Sequence, residues 1–245
     1  MSAEKENSTT KMEFAVEMRS PCCAPKVEKA LNNVPGIKSV KVEAASQKLI
    51  VEGSVSAETV RSEVENKTGM STVLLGHGSS SANLGAGVAA ISIGSTEVQG
   101  LLRFVQSDQN TCVVEGTVDW LPTTEPVYLS IHETGDVSNG CQSCGPLLSD
   151  GDKFTGILGE LHPSQERRAE FRLTTNAVRL PDIYGHCVVI HKGTERDVKQ
   201  NKSERLACGI IARSSGLFEN SKRFCACDGV TIWEQRKMDQ EAALS

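Results

Sequence analysis

Residues 13–36, EFAVEMRSPCCAPKVEKALNNVPG, decide the first half of the fold. EFAVEM places Phe14, Val16 and Met18 on one side of an extended chain, the two-residue period of a half-buried strand. The spacing then changes. Val27, Ala30, Leu31 and Val34 fall at i, i+3, i+4 and i+7, one face of a helix. Pro25 suits the first helical turn and Pro35-Gly36 ends it. Between strand and helix lies a loop carrying Ser20, Cys22 and Cys23.

Working outward, IKSVKVEA and QKLIVEGS read as two strands joined at Ala45-Ser46. SAETVRSEVENKTG reads as a second helix, capped by Ser56 and stopped at Gly69. MSTVLLG reads as a last strand. The order β-α-β-β-α-β is the ferredoxin-like arrangement, an α+β module assigned to residues 11–77. A Gly/Ser-rich connector follows, with the linker at 78–84. Beyond it, GAGVAAISI, EVQGLLRFVQ, NTCVVEGTVDW, PVYLSIHE, AEFRLTT, HCVVIHK and RLACGIIARS are short strand-like runs, implying an all-β sandwich or barrel over 85–215. Segments 134–168, 176–185 and 193–204 read as irregular, and 216–245 as a tail of low apolar content.

Composition narrows the function classes. The 245 residues have a formal net charge of −5, which gives no electrostatic case for nucleic acid. No apolar run approaches the ~20 residues of a membrane span. MSAEKENSTTK has no apolar stretch of the secretory kind, so a cytoplasmic setting is expected. Nine cysteines in a reducing compartment point to metal or redox chemistry more than to structural staples. Cys112 and Cys187, in TCVVEG and HCVVIH, read as buried small hydrophobes. Three close pairs stand apart: Cys22/Cys23, Cys141/Cys144 and Cys225/Cys227. Taken alone, the last pair fits a disulfide, half of a zinc site, a soft-metal clamp or an accident. Soft thiolates select Cu(I) over harder ions, and a site of two or three thiolates stays open to incoming ligands.

GCQSCG, followed by SERLACGIIARSSGLFENSKRFCACDGVTIWEQR, closely resembles the copper chaperones for Cu,Zn superoxide dismutase. The resemblance covers nearly the whole chain: a heavy-metal-associated ferredoxin-like module, a dismutase-like Greek-key β-barrel and a CxC tail. It implies a protein that binds Cu(I), pairs with Cu,Zn superoxide dismutase through the barrel, delivers the ion and promotes the dismutase's intrasubunit disulfide. GAGVAAISI and CGIIARSSGLF are the contact stretches it suggests, and the same surface would serve a homodimer. A mitochondrial intermembrane-space pool is implied beside the cytoplasmic one.

The resemblance also marks departures. The usual loop motif is MxCxxC. In register from Met18, Ser20 replaces the first cysteine, Cys23 matches the second and Cys22 is an extra neighbour. Cys22 and Cys23 remain metal candidates near a helix N-terminus; Lys67 and Met70 match positions near the family's metal loop. With that motif broken, Cys225 and Cys227 are the best-qualified Cu(I) and exchange thiols. In the barrel, the dismutase-like HxH becomes Ser130-Ile131-His132. His191 matches another copper ligand. GPLLSDGDKFTGILGEL has no histidine for zinc, and Ile157 stands where aspartate is expected. His132, His191 and Arg205 are therefore remnant dismutase positions, Arg205 reading as a structural hydrogen-bond donor, and neither zinc nor dismutase turnover is expected. Cys141 and Cys208 match the dismutase disulfide; their bond would close a loop of about 67 residues, worth ~4 kcal/mol in the chain-entropy model. Cys144, or the tail thiols Cys225 and Cys227, are alternative partners for a disulfide or exchange. A copper-independent docking or folding scaffold, a divergent dismutase, and a zinc site built from CQSC and CAC are the rival readings.

Overall fold

In a computed structural model the described residues are 8–80, 83–94, 97–151, 153–220 and 233. The first module is built as the hydrophobic periods require. Strand β1 (Thr10–Val16) leads through the cysteine loop into helix α1 (Ala24–Leu31). Strands β2 (Ile37–Glu43) and β3 (Lys48–Gly53) form the central hairpin, and helix α2 (Ala57–Thr68) precedes β4 (Thr72–Ser79). The sheet order is β2-β3-β1-β4, antiparallel throughout. Phe14, Val16, Val27, Leu31, Leu49, Val51, Val60 and Val64 form its core. Each such side chain contributes ~1.5–3 kcal/mol by leaving water. The Ser56 hydroxyl accepts the Thr59 N–H at the start of α2, and Gly69 ends that helix at φ 70°, where only glycine escapes a Cβ penalty. Strand β4 extends to Ser79, which pairs with Thr10, so the sheet reaches into the stretch read as linker.

The second unit holds β5 (Ala86–Ile91), β6 (Ile93–Gly94), β7 (Gln99–Gln106), β8 (Cys112–Asp119), β9 (Val127–Ile131) and β10 (Ser138–Cys141). They are followed by β11 (Ser149–Asp150), β12 (Lys153–Phe154), β13 (Ile157–Leu161), β14 (Ala169–Thr175), α3 (Leu180–Ile183), β15 (Cys187–Lys192), α4 (Glu195–Lys199), β16 (Glu204–Ile210) and β17 (Ala212–Arg213). Two five-stranded antiparallel sheets, β13-β9-β15-β16-β6 and β14-β8-β7-β5-β17, enclose one core that includes Leu102, Phe104, Val114, Leu129, Ile131, Val188 and Ile190. The segment 134–168 is less irregular than its sequence suggests, because β13 pairs along β9 within it. Short helices α3 and α4 occupy the other two segments read as irregular.

The two units meet across a polar, buried seam. Arg172 on β14 donates to Ser8 O (2.7 Å), Ser54 O (3.0 Å) and Thr10 Oγ1 (3.2 Å). Glu115 on β8 accepts the Ala57 N–H at the start of α2 (3.0 Å), where the helix dipole favours a carboxylate. His77 on β4 bonds Thr10 Oγ1 at 3.0 Å, and its Nδ1 lies 3.7 Å from Glu115. The chain then returns over this seam: Phe218 N–H donates to Glu13 Oε2 at 3.0 Å, and the Gly216 carbonyl lies so close to Gly76 that it leaves no room for a Cβ at Gly76. The Gly216–Phe218 part of CGIIARSSGLF, suggested as a partner contact, is thus committed in part to the first module of its own chain. Among the described residues no helix is long and apolar enough to cross a membrane.

Candidate functional site

The loop between β1 and α1 holds the first candidate. Pro21 opens a single 3-10 turn over Pro21–Cys23, and α1 continues directly from it. The turn folds the chain back over Ser20, whose Oγ lies 2.9 Å from Cys22 Sγ and 3.6 Å from Cys23 Sγ. Adjacent cysteines seldom aim at one point, yet here both sulfurs converge on one oxygen. Cys22 is exposed and Cys23 half-buried. Hydrogen bonds from the Ser20 side chain and backbone hold the Cys23 thiol below its ordinary pKa, favouring the thiolate that a soft metal needs. The loop therefore presents two accessible sulfurs with a hydroxyl between them. Met70 packs on the core of this module. Lys67 does not reach the loop: its ammonium donates to Ala30 O at 3.0 Å, at the opposite end of α1.

The remnant dismutase positions come together in the second unit, but as a closed hydrogen-bond set. Ser130 Oγ lies 3.1 Å from His132 Nε2 and 2.8 Å from His191 Nε2. His132 Nδ1 faces Gly145 O at 2.9 Å, and His191 Nδ1 faces Ser203 Oγ at 2.8 Å. One proton assignment satisfies all four ring nitrogens with both rings neutral. His132 Nδ1–H donates to the Gly145 carbonyl, and the Ser130 hydroxyl donates to His132 Nε2. His191 Nε2–H donates to Ser130 Oγ, and the Ser203 hydroxyl donates to His191 Nδ1. Burial favours that neutrality, pushing His132 down to about 4 and His191 to about 3. Every ring nitrogen already has a partner, so the set does not fit the histidine cage that a resident copper or zinc requires. Among the described residues no three His, Cys, Asp or Glu side chains are placed to share an ion.

Arg205 is a structural donor. Its guanidinium spans Cys141 O (2.7 Å), Gly145 O (2.7 Å) and Asn201 Oδ1 (2.8 Å), pinning the loop that carries Cys141 and Cys144. Cys141 and Cys208 are disulfide-bonded, with Cα atoms 5.7 Å apart. Cys144 closes a 3-10 turn over Gln142–Cys144, with no helix behind it to activate a thioredoxin-like pair. Cys112 lies in the main core, where burial raises its thiol to about 12, as expected of a small hydrophobe. Cys187 is buried too, but it faces the disulfide and Cys144 rather than the main core. Cys225 and Cys227 lie outside the described residues. Sequence reasoning missed Ser130 and Ser203 as imidazole partners and the seam of His77, Glu115 and Arg172. The alternation in HCVVIHK was the available signal for Cys187, since it places Cys187, Val189 and His191 on one face.

Comparison with known proteins accounts for this layout of an open thiol loop beside a closed imidazole set. The heavy-metal-associated domain family matches residues 13–70, and the copper/zinc superoxide dismutase (SODC) family matches residues 98–211. The chain is 38% identical over 247 residues to the copper chaperone for superoxide dismutase of Rattus norvegicus, covering 92% of this chain and 88% of that one. It is equally similar to the Homo sapiens protein of that name, at 38% with the same coverage. The superoxide dismutase 1 copper chaperone of Saccharomyces cerevisiae is 29% identical over 94% of this chain and 96% of its own. Both modules, in this order and over this length, are those of one family, and the chain belongs to it: the copper chaperones for superoxide dismutase.

Proposed function

We propose that this protein carries Cu(I) to Cu,Zn superoxide dismutase and activates it. One observation carries the reading. The same chain joins an exposed two-sulfur loop, able to hold a soft ion without enclosing it, to a dismutase-like barrel whose surviving imidazoles are occupied by Ser130 and Ser203. The first feature suits a carrier, and the second leaves the barrel a docking role rather than turnover. The barrel pairs with a dismutase subunit as homologous subunits pair, through an isologous surface; a homodimer uses the same face.

Cys225 and Cys227 deliver the ion. Ser20 takes the place of the first motif cysteine and leaves two adjacent sulfurs in the loop instead of a spaced pair, so the tail pair bears more of the activity. The same pair transfers a disulfide. A partner thiolate attacks a Cys225–Cys227 bond and forms a mixed disulfide, and the partner's second thiolate then resolves it. The step uses the tail in its oxidised, copper-free form: the partner gains the disulfide, the tail is left with two thiols, and an electron acceptor such as dioxygen must reoxidise them before another transfer.

The test is activation of apo-dismutase by chaperone loaded anaerobically with Cu(I). Cys225→Ser/Cys227→Ser is expected to abolish activation, and Cys22→Ser/Cys23→Ser to reduce it. The opposite ranking overturns the assignment of roles. Metal analysis that finds no stoichiometric copper on the chaperone after anaerobic Cu(I) loading would establish the scaffold reading instead.

A further inference from the structure

On the outer face of the sheet β13-β9-β15-β16-β6, away from the main core, four cysteines meet. Cys141, Cys144, Cys187 and Cys208 pack in one buried cluster with Val189, against Ile93 and Val137. Sheet geometry puts them there. Cys187 and Val189 project from the same side of β15, and Val189 pairs with Cys208 on β16. Thr134 then aligns the two free cysteines: its N–H donates to Cys144 O (3.1 Å) and its carbonyl accepts the Cys187 N–H (3.0 Å). Their side chains share this buried cluster. Neither is accessible to solvent. Two free buried thiols in one closed cluster with a disulfide exceed what a structural staple requires.

We propose that Cys144 and Cys187 form a second redox pair that exchanges with the Cys141–Cys208 disulfide, so that the barrel holds its one disulfide in either of two positions. The exchange needs no external oxidant. Cys144 thiolate attacks one sulfur of Cys141–Cys208, forming a mixed disulfide and expelling the other sulfur as a thiolate. Cys187 thiolate then attacks Cys144, releasing the second sulfur and leaving Cys144–Cys187. One S–S bond is broken and one formed overall, and two protons pass from the inner pair to Cys141 and Cys208. Cys144 is the competent attacker. The neighbouring Cys187 thiol and the Arg205 guanidinium both lower its pKa, while the Cys144 thiol raises that of Cys187. Burial keeps outside thiols away, which favours the internal route. The loop carrying Cys141 and Cys144 stays tied to the sheet in both isomers, so the exchange frees Cys141 and Cys208 without releasing it. The inference concerns the barrel alone and stands independently of copper carriage.

The test starts with full-length protein containing one disulfide, held anaerobically at pH 8 without added thiol. Aliquots are acid-quenched and mapped by peptic digestion and mass spectrometry. A Cys144–Cys187 peptide should rise to a plateau above the level in Cys144→Ser, with an equal rise in free Cys141 and Cys208. Cys187→Ser should stop at a mixed disulfide of Cys144. Separately, Cys141→Ser/Cys208→Ser should form the Cys144–Cys187 bond in oxidised glutathione. A wild-type chain that retains only Cys141–Cys208 throughout, indistinguishable from Cys144→Ser, overturns the proposal even if the double variant fails to fold.

Discussion

Ser20 and Ser130 occupy comparable places in two unlike regions. By the family resemblance each stands in sequence where a metal ligand is expected, and each touches the two candidate ligands that remain. Around Ser20 those ligands are thiols at the surface, and the hydroxyl competes only weakly for them. Around Ser130 they are buried imidazoles, and the hydroxyl completes their hydrogen bonding. The same replacement therefore has opposite consequences. At an exposed site it is expected to lower metal affinity at little cost in stability; at a buried one the hydroxyl completes a structural network, because unpartnered buried nitrogens are expensive.

The largest effect should come from restoring the exposed site. Ser20→Cys restores the first motif cysteine and brings the loop to three cysteine sulfurs, and Cu(I) affinity should rise by orders of magnitude. Competition with a Cu(I) chelator measures this in a Cys225→Ser/Cys227→Ser background. Folding stability should change by less than about 0.5 kcal/mol, as for other surface substitutions. No gain in affinity would mean that Cys22 and Cys23 already supply all the ligands the loop can use, and the contrast would fail on its exposed side.

The buried side depends on the loop that presents Gly145 O to His132, and that loop is stapled by Cys141–Cys208. In a Cys144→Ser background, which blocks the alternative Cys144–Cys187 bond, Cys208→Ser should cost about 4 kcal/mol by the chain-entropy argument, read from urea unfolding with and without reductant. Loss of less than about 1 kcal/mol would show that Arg205, not the disulfide, holds the loop in place.

His77 extends the contrast to the seam. It is enclosed by Thr10, Glu115, Arg172 and Arg103, and burial pushes it down to about 4, with Glu115 opposing and the two arginines assisting. Since the folded pKa lies below the ordinary one, His77 contributes its stability fully above pH ~6.5. That contribution is lost as pH falls from there towards 4, and amounts to at most about 3 kcal/mol. Wild type and His77→Gln should therefore show different slopes of unfolding free energy in this window and equal slopes above it. Parallel profiles would mean that His77 is protonated in the folded state.

Periodicity made the architecture legible. The switch from a period of two at Phe14–Met18 to a helical one at Val27–Val34 is written in the residues themselves, as are the caps at Ser56 and Gly69. Strand β13 was obscured because Gly159 interrupts its pattern, and only pairing with β9 orders it. Glu115 and Arg172 read as ordinary polar positions on alternating strands; Glu115 is buried and Arg172 partly buried because another module covers them. At Ser20 and Ser130 the lost ligand was legible but the hydrogen bonding that replaced it was not. That depends on side chains from distant segments, including Gly145 and Ser203, and no local spacing encodes them.

Ser130→Ala should give the smallest effect. Removing the hydroxyl strands His132 Nε2 as an acceptor and His191 Nε2–H as a donor. These two nitrogens are already 3.1 Å apart, so they can satisfy each other directly if both rings are neutral. The cost should then be close to one exchanged hydrogen bond, about 1 kcal/mol, measured by urea unfolding at pH 7. A charged ring would change the answer. Removing its acceptor would leave a poorly paired buried cation facing a second imidazole, and the loss would approach the 3–5 kcal/mol (an order-of-magnitude range) of a broken buried ion pair. The size of this one change thus separates a neutral, self-contained network from a site that still holds charge as a metal centre would.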